Sequence, residues 1–244
     1  MRTFGLIGHP LGHSFSQRYF TDKFAAMGLA EECEYLNFDI ESIDRLPEVL
    51  AQHPNLQGFN VTIPYKEQII PLLDDVSEGA RQIGAVNCVR VDGSRLVGHN
   101  TDVFGAGLTI DHLTEGVPCK ALVLGSGGAS KAVREALRLR NIDYQLVSRR
   151  AEGGAITYDN LTEEIMQSHT LIINTTPLGM YPRVDAAPDI PYQWLGSEHR
   201  LFDLIYNPSE TLFMRRGAAQ GAKTASGGEM LVEQAEKSWE IWNI

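Results

Sequence analysis

The stretch ALVLGSGGASKAVREALRLR, residues 121–140, decides the fold class of this chain. Four apolar residues come first, a glycine-rich turn with Gly125 and Gly127 follows, and a run of good helix formers completes the stretch. This is the strand–turn–helix order of a dinucleotide-binding unit, in which the helix N-terminus receives a pyrophosphate. The alternative is a glycine-rich β–α turn packed for its own sake. The flanking strand and helix favour nucleotide binding, with cofactor contacts predicted at Gly125, Gly127, Gly128 and Ala129.

The end of the next predicted strand indicates which nicotinamide cofactor is used. An acidic side chain about 20 residues after the glycines would accept hydrogen bonds from the adenosine ribose of NAD. This chain has Ser148, Arg149 and Arg150 there instead. Guanidinium groups pair well with phosphate, so these residues predict a 2′-phosphate and therefore NADP(H). The alternative is that one or both arginines are only solvated surface charges.

Strand and helix patterns alternate on both sides of this motif and predict an α/β fold with two domains. Strands are predicted at 3–7, 35–38, 56–62, 121–124, 145–147, 171–174 and 201–205, with an antiparallel hairpin around Asp92-Gly93 at a sheet edge. Helices are predicted between them, at 66–73, 101–113 and 129–140 among others. We expect a substrate domain of residues 1–105 plus 226–244, with a C-terminal helix (229–242) that packs back on it. Residues 106–225 form the expected Rossmann-like NADP-binding domain.

The bulk composition excludes several classes of protein. With 43% hydrophobic and 21% charged residues among 244, the chain has the balance of a folded globular protein. A formal net charge of −10 argues against a general nucleic-acid-binding role. Its three cysteines are widely spaced and predict neither a disulfide framework nor a metal site. No apolar run reaches the roughly 20 residues of a membrane span. We expect a cytoplasmic monomer or homodimer with a small-molecule substrate.

Polar side chains follow several of the predicted strands. Ser14 and Ser16 come after the first strand, Lys66 after the third, and Asn87 and Asp102 at later strand ends. Open α/β sheets assemble binding sites at strand ends, so these groups could converge. Taken singly, the serines suit helix N-caps, Lys66 a solvated surface charge and Asp102 the first turn of a helix.

Taken together, these segments resemble the shikimate dehydrogenase family over nearly the whole chain. The matching segments are 8–16, 60–66, 84–87, 100–102, 125–129, 174–180, 203–208 and 227–234. The resemblance implies an oxidoreductase that reversibly reduces 3-dehydroshikimate to shikimate with NADPH, in the shikimate pathway of aromatic amino-acid biosynthesis.

The resemblance also implies roles for individual residues. Lys66 and Asp102 become the catalytic pair, because an ammonium can protonate the alkoxide that hydride transfer creates, while the carboxylate orients the lysine. The implied substrate-binding residues are Ser14, Ser16, Thr62, Asn87, Tyr206 and Gln234. Further cofactor-binding residues implied by the resemblance are Asn174, Thr175, Thr176, Met180 and Gly227. No metal is implied.

The chain departs from the family pattern beside the expected substrate region, at Gln17, Cys88 and Val103-Phe104. Ser148 and Arg150 also differ around the arginine of the expected phosphate clamp. The groups that would perform the chemistry remain. Two alternatives stay open: a quinate/shikimate dehydrogenase with relaxed cofactor use, and a non-catalytic NADP- or metabolite-sensing module that keeps the fold.

Overall fold

The computed structural model describes residues 1–12 and 15–244. It divides into two compact units, the first formed by residues 1–101 and 235–244 and the second by residues 102–234. Each unit contains a sheet of its own. The predicted α/β class with two domains is therefore confirmed. The expected limits of the substrate domain and the NADP-binding domain, at 105/106 and 225/226, remain predictions. The two compact units have different limits, at 101/102 and 234/235.

The first unit has a mixed sheet with the strand order β2-β1-β3-β5-β6-β4. Its strands are β1 (Arg2–Gly8), β2 (Cys33–Asp39), β3 (Leu56–Val61), β4 (Asp75–Val76), β5 (Cys88–Asp92) and β6 (Arg95–His99), and its helices are α1 (Phe15–Ala26), α2 (Leu46–Gln52) and α3 (Glu78–Ile83). β1 pairs in parallel with β2 and β3, whereas β5 is antiparallel to both β3 and β6. The predicted hairpin is confirmed, but β4 pairs with its outer strand, so the hairpin does not form the sheet edge.

The second unit has a parallel sheet with the order β12-β11-β10-β7-β8-β9. Its strands are β7 (Ala121–Leu124), β8 (Tyr144–Ser148), β9 (Ile156–Thr157), β10 (Leu171–Asn174), β11 (Arg200–Asp203) and β12 (Lys223–Ser226). Its helices are α4 (Asp102–Thr114), α5 (Gly128–Leu139), α6 (Glu163–Ser168), α7 (Leu212–Ala218) and the beginning of α8 (Gly227–Trp242). This is the expected Rossmann-like arrangement, in which the carboxyl ends of neighbouring parallel strands share one edge.

The last turns of α8 complete the core of the first unit. Trp242 stacks on Phe4 with ring centroids 5.1 Å apart, and its indole Nε1 donates to the carbonyl of Val89 at 3.0 Å. Gly58 is needed beneath this ring, since a Cβ there would lie 2.1 Å from Trp242 Cδ1. The prediction that the C-terminal helix packs back on the substrate domain is confirmed.

The prediction of a helix at 66–73 is wrong. Successive turns occupy this segment and end in a short 3₁₀ helix at Ile70–Leu72. Pro71 explains the difference, because a proline inside an α-helix lacks the N–H donor and clashes with the carbonyl four residues earlier. Within the part of the chain that the structure describes, no helix is long and apolar enough to cross a membrane.

Candidate active site

The glycine-rich turn leaves β7 through a backbone conformation that favours glycine. Gly125 has φ +105°, and a Cβ there would lie 2.9 Å from the hydroxyl oxygen of Thr175. The Thr175 hydroxyl donates to the carbonyl of Leu124 at 2.7 Å, which ties the loop after β10 to the end of β7. Gly125 is therefore required both by its positive φ and by the close approach of a neighbouring loop.

The N-terminus of α5 fits a phosphate group. Gly127 is the N-cap and provides no side-chain hydrogen bond to the first turn. A Cβ added at Gly127 or Gly128 would meet no atom within 4 Å, so the space above the turn is open. Ser130 is fully buried and its hydroxyl donates to the Gly127 carbonyl at 2.7 Å, which holds the turn in place. Open space in front of the N–H groups of a 12-residue helix suits a pyrophosphate.

The side chains after β8 suit a second phosphate. Ser148 is the last residue of β8, and its hydroxyl accepts the main-chain N–H of Arg150 at 3.3 Å. Arg149 and Arg150 are both exposed, and no acidic residue occupies this strand end. Burial raises the pKa of Tyr158, and the nearby Arg149 guanidinium opposes part of that rise. Exposed guanidinium groups without an acid fit the 2′-phosphate of NADP rather than the free ribose hydroxyl of NAD.

A buried carboxylate, which the sequence analysis does not single out, holds two of the site loops together. Asp203 at the end of β11 accepts hydrogen bonds from the Thr211 hydroxyl at 2.6 Å and the Asn174 amide at 3.0 Å. Asn174 Oδ1 in turn accepts the hydroxyl of Thr176 at 2.7 Å. Burial raises the pKa of Asp203, while its hydrogen-bond donors act in the opposite direction. The predicted cofactor residues Asn174 and Thr176 are thus oriented by Asp203.

The other predicted residues of the second sheet lie on adjacent loops. Met180 and Tyr206 are about half exposed and lie on the loops after β10 and β11. These loops are joined because the main-chain N–H of Tyr181 donates to the carbonyl of Asn207 at 3.1 Å. Gly227 begins α8 so close to the preceding loop that a Cβ there would lie 2.0 Å from the carbonyl oxygen of Leu204. The structure therefore brings Met180, Tyr206 and Gly227 to the same edge of the sheet as the glycine-rich turn.

Asp102 and Gln234 are carried by two helices of the second unit that pack closely together. Asp102 is the first residue of α4, and Gln234 lies in the third turn of α8. Gly105 permits the contact, since a Cβ on it would lie 2.5 Å from the Met230 carbonyl oxygen and 3.2 Å from the Gln234 main-chain nitrogen. The position of Gln234 relative to Asp102 consequently depends on the absence of a side chain at Gly105.

Two predicted substrate residues of the first unit, Thr62 and Asn87, lie next to the ends of β3 and β5. Thr62 directly follows β3, and its carbonyl accepts the main-chain N–H of Tyr65 at 2.9 Å in the turn that leads to Lys66. The carbonyl of Lys66 accepts the N–H of Val86 at 2.8 Å, which places Lys66 beside the segment that contains Asn87. Lys66 is partly buried.

A buried polar network fixes Asn87 and Ser16. Asn87 Oδ1 accepts the main-chain N–H of Thr101 at 2.6 Å, and its Nδ2 donates to the Thr101 hydroxyl at 3.0 Å. Ser16 hydrogen-bonds the Tyr35 phenol, which itself donates to Asn60 Oδ1 at 2.9 Å. The pKa of Tyr35 is raised, mainly because the phenol is buried. No role for Tyr35 or Thr101 was predicted from the sequence, and Ser14 lies outside the described residues.

The glycine-rich turn, the parallel sheet and the arginine pair define a nicotinamide-dinucleotide-dependent oxidoreductase. Residues 6–89 match the family described as the shikimate dehydrogenase substrate binding domain. The chain is 38% identical over 255 residues to the shikimate dehydrogenase (NADP(+)) of Methanococcus aeolicus, and 36% identical over 257 residues to that of Methanosphaera stadtmanae. Both alignments cover 98% of this chain and 90% of the relative.

A solved structure agrees with these relatives. The shikimate 5-dehydrogenase of Thermus thermophilus, in complex with NADP(H) and shikimate, superimposes with a TM-score of 0.83 and 33% identity, covering 99% of this chain and 93% of that one. The chain belongs to the shikimate dehydrogenase family. The resemblance found in the sequence is confirmed.

Proposed function

We propose that this chain catalyses the reversible, NADPH-dependent reduction of 3-dehydroshikimate to shikimate. One observation carries the proposal: over 98% of its length the chain matches relatives named shikimate dehydrogenase (NADP(+)). The presence of both Lys66 and Asp102 supports an enzyme rather than a module that only senses NADP or a metabolite.

The second unit offers the groups that NADP(H) needs. The turn from Gly125 to Ala129 and the start of α5 bind the pyrophosphate, and Arg149 and Arg150, supported by Ser148, bind the 2′-phosphate. Asn174, Thr175, Thr176, Met180 and Gly227 lie along the nicotinamide half. When bound, NADPH supplies the hydride.

The substrate is a small ring with a carboxylate and several hydroxyls. Ser14 and Ser16 donate to the carboxylate, Thr62, Asn87 and Gln234 bind the ring hydroxyls, and Tyr206 is a further substrate-binding residue. These neutral groups form directional hydrogen bonds without adding charge to the site. Selectivity for a polyhydroxylated ring follows, because an analogue that lacks a hydroxyl leaves a buried amide or hydroxyl without its partner.

Lys66 performs the proton transfer. As the carbonyl oxygen of 3-dehydroshikimate gains negative charge, the Lys66 ammonium stabilises and protonates it. In the reverse direction, neutral Lys66 removes the hydroxyl proton of shikimate. Asp102 orients the Lys66 side chain for this proton transfer.

Initial rates at the NADPH absorbance band test this function. Shikimate or quinate is paired with NADP or NAD, and Lys66→Ala is compared with Lys120→Ala, which removes an exposed lysine of the second unit. We expect shikimate with NADP to dominate, and Lys66→Ala alone to lower kcat by about 10²- to 10⁴-fold, the range of general acid–base catalysis. NADP binding without turnover of either substrate would instead support a sensing module, and dominant quinate oxidation a quinate dehydrogenase.

We further propose that the enzyme works in the cytoplasm as a monomer or homodimer, without a nucleic-acid or membrane partner. The acidic charge balance supports the absence of a nucleic-acid partner. Light scattering would distinguish the two assemblies, since one chain has a mass of 27.0 kDa. A larger mass would contradict both.

A further inference from the structure

Ser238 lies in the part of α8 that belongs to the first unit, and its side chain is fully buried. Its hydroxyl oxygen is 2.9 Å from Asn60 Nδ2 and 3.3 Å from the hydroxyl oxygen of Thr101. A single buried hydroxyl therefore contacts both the end of β3 and the residue that precedes α4. Thr62, a proposed substrate-binding residue of this unit, directly follows β3.

The hydrogen-bond directions around Asn60 are determined by its partners. Asn60 Oδ1 accepts the phenol hydroxyl of Tyr35 at 2.9 Å, so its NH₂ group faces the other way. That NH₂ group donates to the Asn87 carbonyl at 3.1 Å and to Ser238 at 2.9 Å. Since an amide nitrogen only donates, Ser238 Oγ acts as the acceptor in this bond.

Thr101 transmits the contact to Asn87. The Thr101 main-chain N–H donates to Asn87 Oδ1 and so determines the orientation of the Asn87 carboxamide. The Thr101 hydroxyl accepts a hydrogen bond from Asn87 Nδ2. Both polar atoms of the Asn87 carboxamide thus hydrogen-bond Thr101, and the hydroxyl of Thr101 hydrogen-bonds Ser238. Removing the Ser238 hydroxyl leaves a buried N–H of Asn60 without its acceptor. It also removes the contact to the Thr101 hydroxyl, which is then able to rotate.

We propose that Ser238 is a positioning residue, which acts through Thr101 on the orientation of the Asn87 carboxamide and so on shikimate binding. The inference rests on the proposed function, in which Asn87 binds a ring hydroxyl. A hydroxyl that served only to satisfy the core would alter stability alone. A positioning hydroxyl alters the KM for shikimate while leaving the KM for NADP unchanged, because the cofactor groups lie on the other sheet.

Ser238→Ala tests the proposal, with Thr3→Val as the matched control. Thr3 is also buried in the first unit, and its hydroxyl donates to Glu34 at 2.8 Å at the opposite end of β1 from Gly8. We expect Ser238→Ala to raise the KM for shikimate about fivefold, the size of one net hydrogen bond. The KM for NADP stays within about twofold of the wild-type value, and Thr3→Val changes neither constant.

A double-mutant cycle with Asn87→Ala separates positioning from a general loss of packing. In the Asn87→Ala background, Ser238→Ala should cause no further rise in the KM for shikimate, because the group it orients is gone. An additive rise, or an equal rise in both KM values, would overturn the proposal. Ser238→Cys fills the same space with a weak hydrogen-bonding group and replaces Ser238→Ala if the alanine variant does not fold.

A readout that does not depend on turnover keeps this inference distinct from the proposed function. The side-chain amide resonances of Asn87 can be assigned by their loss in Asn87→Ala, and Ser238→Ala should shift them. If wild-type protein does not oxidise shikimate, the proposed function fails whatever these resonances do. Unchanged Asn87 resonances in Ser238→Ala would overturn the positioning role even in an active enzyme.

Discussion

Replacing Gly105 by alanine should disable the enzyme without preventing cofactor binding. Gly105 lies three residues after Asp102 on α4, and Met230 lies four residues before Gln234 on α8. A Cβ at Gly105 would lie 2.5 Å from the Met230 carbonyl oxygen. The obstacle is main chain, so it cannot rotate away as the end of a side chain can. α8 must therefore move relative to α4, and Gln234 moves with it.

The size of the movement follows from the contact distance. Ordinary van der Waals contact begins at 3.4 Å, so the 2.5 Å separation must grow by 3.4 − 2.5 = 0.9 Å. A displacement of about 1 Å in a reacting geometry costs roughly 10²-fold in rate. Some of the strain will be absorbed locally, so we expect kcat/KM for shikimate to fall by about 10- to 100-fold. The dissociation constant for NADPH should change less than kcat/KM for shikimate, because the glycine-rich turn lies on β7 and α5 and Gly227 is the cofactor residue carried by α8.

Gly107→Ala provides the control. Gly107 is also buried in α4, but a Cβ there would meet the end of a side chain, the guanidinium of Arg140, at 2.3 Å. Both variants gain about 1 kcal/mol of helix propensity, and only Gly105→Ala meets main chain. Steady-state kinetics and NADPH fluorescence titration on both variants decide the matter. Equal losses in the two variants, or a Gly105→Ala enzyme within twofold of wild type, would refute the reasoning.

Three further predictions concern the cofactor, a surface ion pair and the C-terminal helix. Arg149→Ala should weaken NADP(H) about tenfold in calorimetry and leave NAD(H) unchanged, since the lost partner is the 2′-phosphate; equal weakening would contradict that role. The hydrogen bond to Glu229 raises the pKa of His112 above 6.5, so its stabilisation is present below that pH and disappears as pH rises through the raised pKa. The melting temperatures of wild type and Glu229→Gln should therefore differ near pH 6 and converge near pH 9, and parallel curves would argue against it. Trp242→Ala should lower the free energy of unfolding by about 3–5 kcal/mol in urea titrations, while a loss below about 1 kcal/mol would show that α8 contributes little to the first core.

The elements that sequence predicts best are those whose signals are local. The strand predicted at 121–124 coincides with β7, and the helix predicted at 129–140 differs from α5 by one residue at each end. A buried apolar run, a glycine turn and helix formers are all read within one short segment. The error at 66–73 falls on a segment that contains Pro71, which disfavours the interior of an α-helix.

Among the elements of the second unit that have no counterpart in the predictions are α7 and β12. β12 is a four-residue strand at the end of the sheet order, where it pairs with β11, and its residues are exposed or half-buried. It has neither a long apolar run nor a clear alternation, so its pairing depends on a partner about 20 residues earlier in the chain. α7 is seven residues long and contains Gly217, which disfavours a helix in isolation. Tertiary contacts rather than local preference define both.

Ligand-binding residues can be predicted from the sequence more readily than the residues that orient them. Glycines in a β–α turn and arginines at a strand end are residue types that suit phosphate binding at those positions. The partners of Asn60 could not be predicted in this way, because one of them, Ser238, is 178 residues away along the chain. A serine in a helix near the C-terminus has no local feature that indicates such a contact.

Asp203 shows why such residues need the fold to be recognised. An isolated carboxylate costs several kcal/mol to bury as an anion, so its sequence position alone predicts an exposed side chain. The structure supplies three donors from separate segments: the hydroxyl of Thr211, the amide of Asn174 and the main-chain N–H of Ile205. Burial raises the Asp203 pKa and these donors lower it, so the loss of any donor shifts the balance towards the protonated acid. The orientation of Asn174 therefore depends on Asp203, and that dependence exists only because strand ends distant in sequence meet at one edge of the sheet.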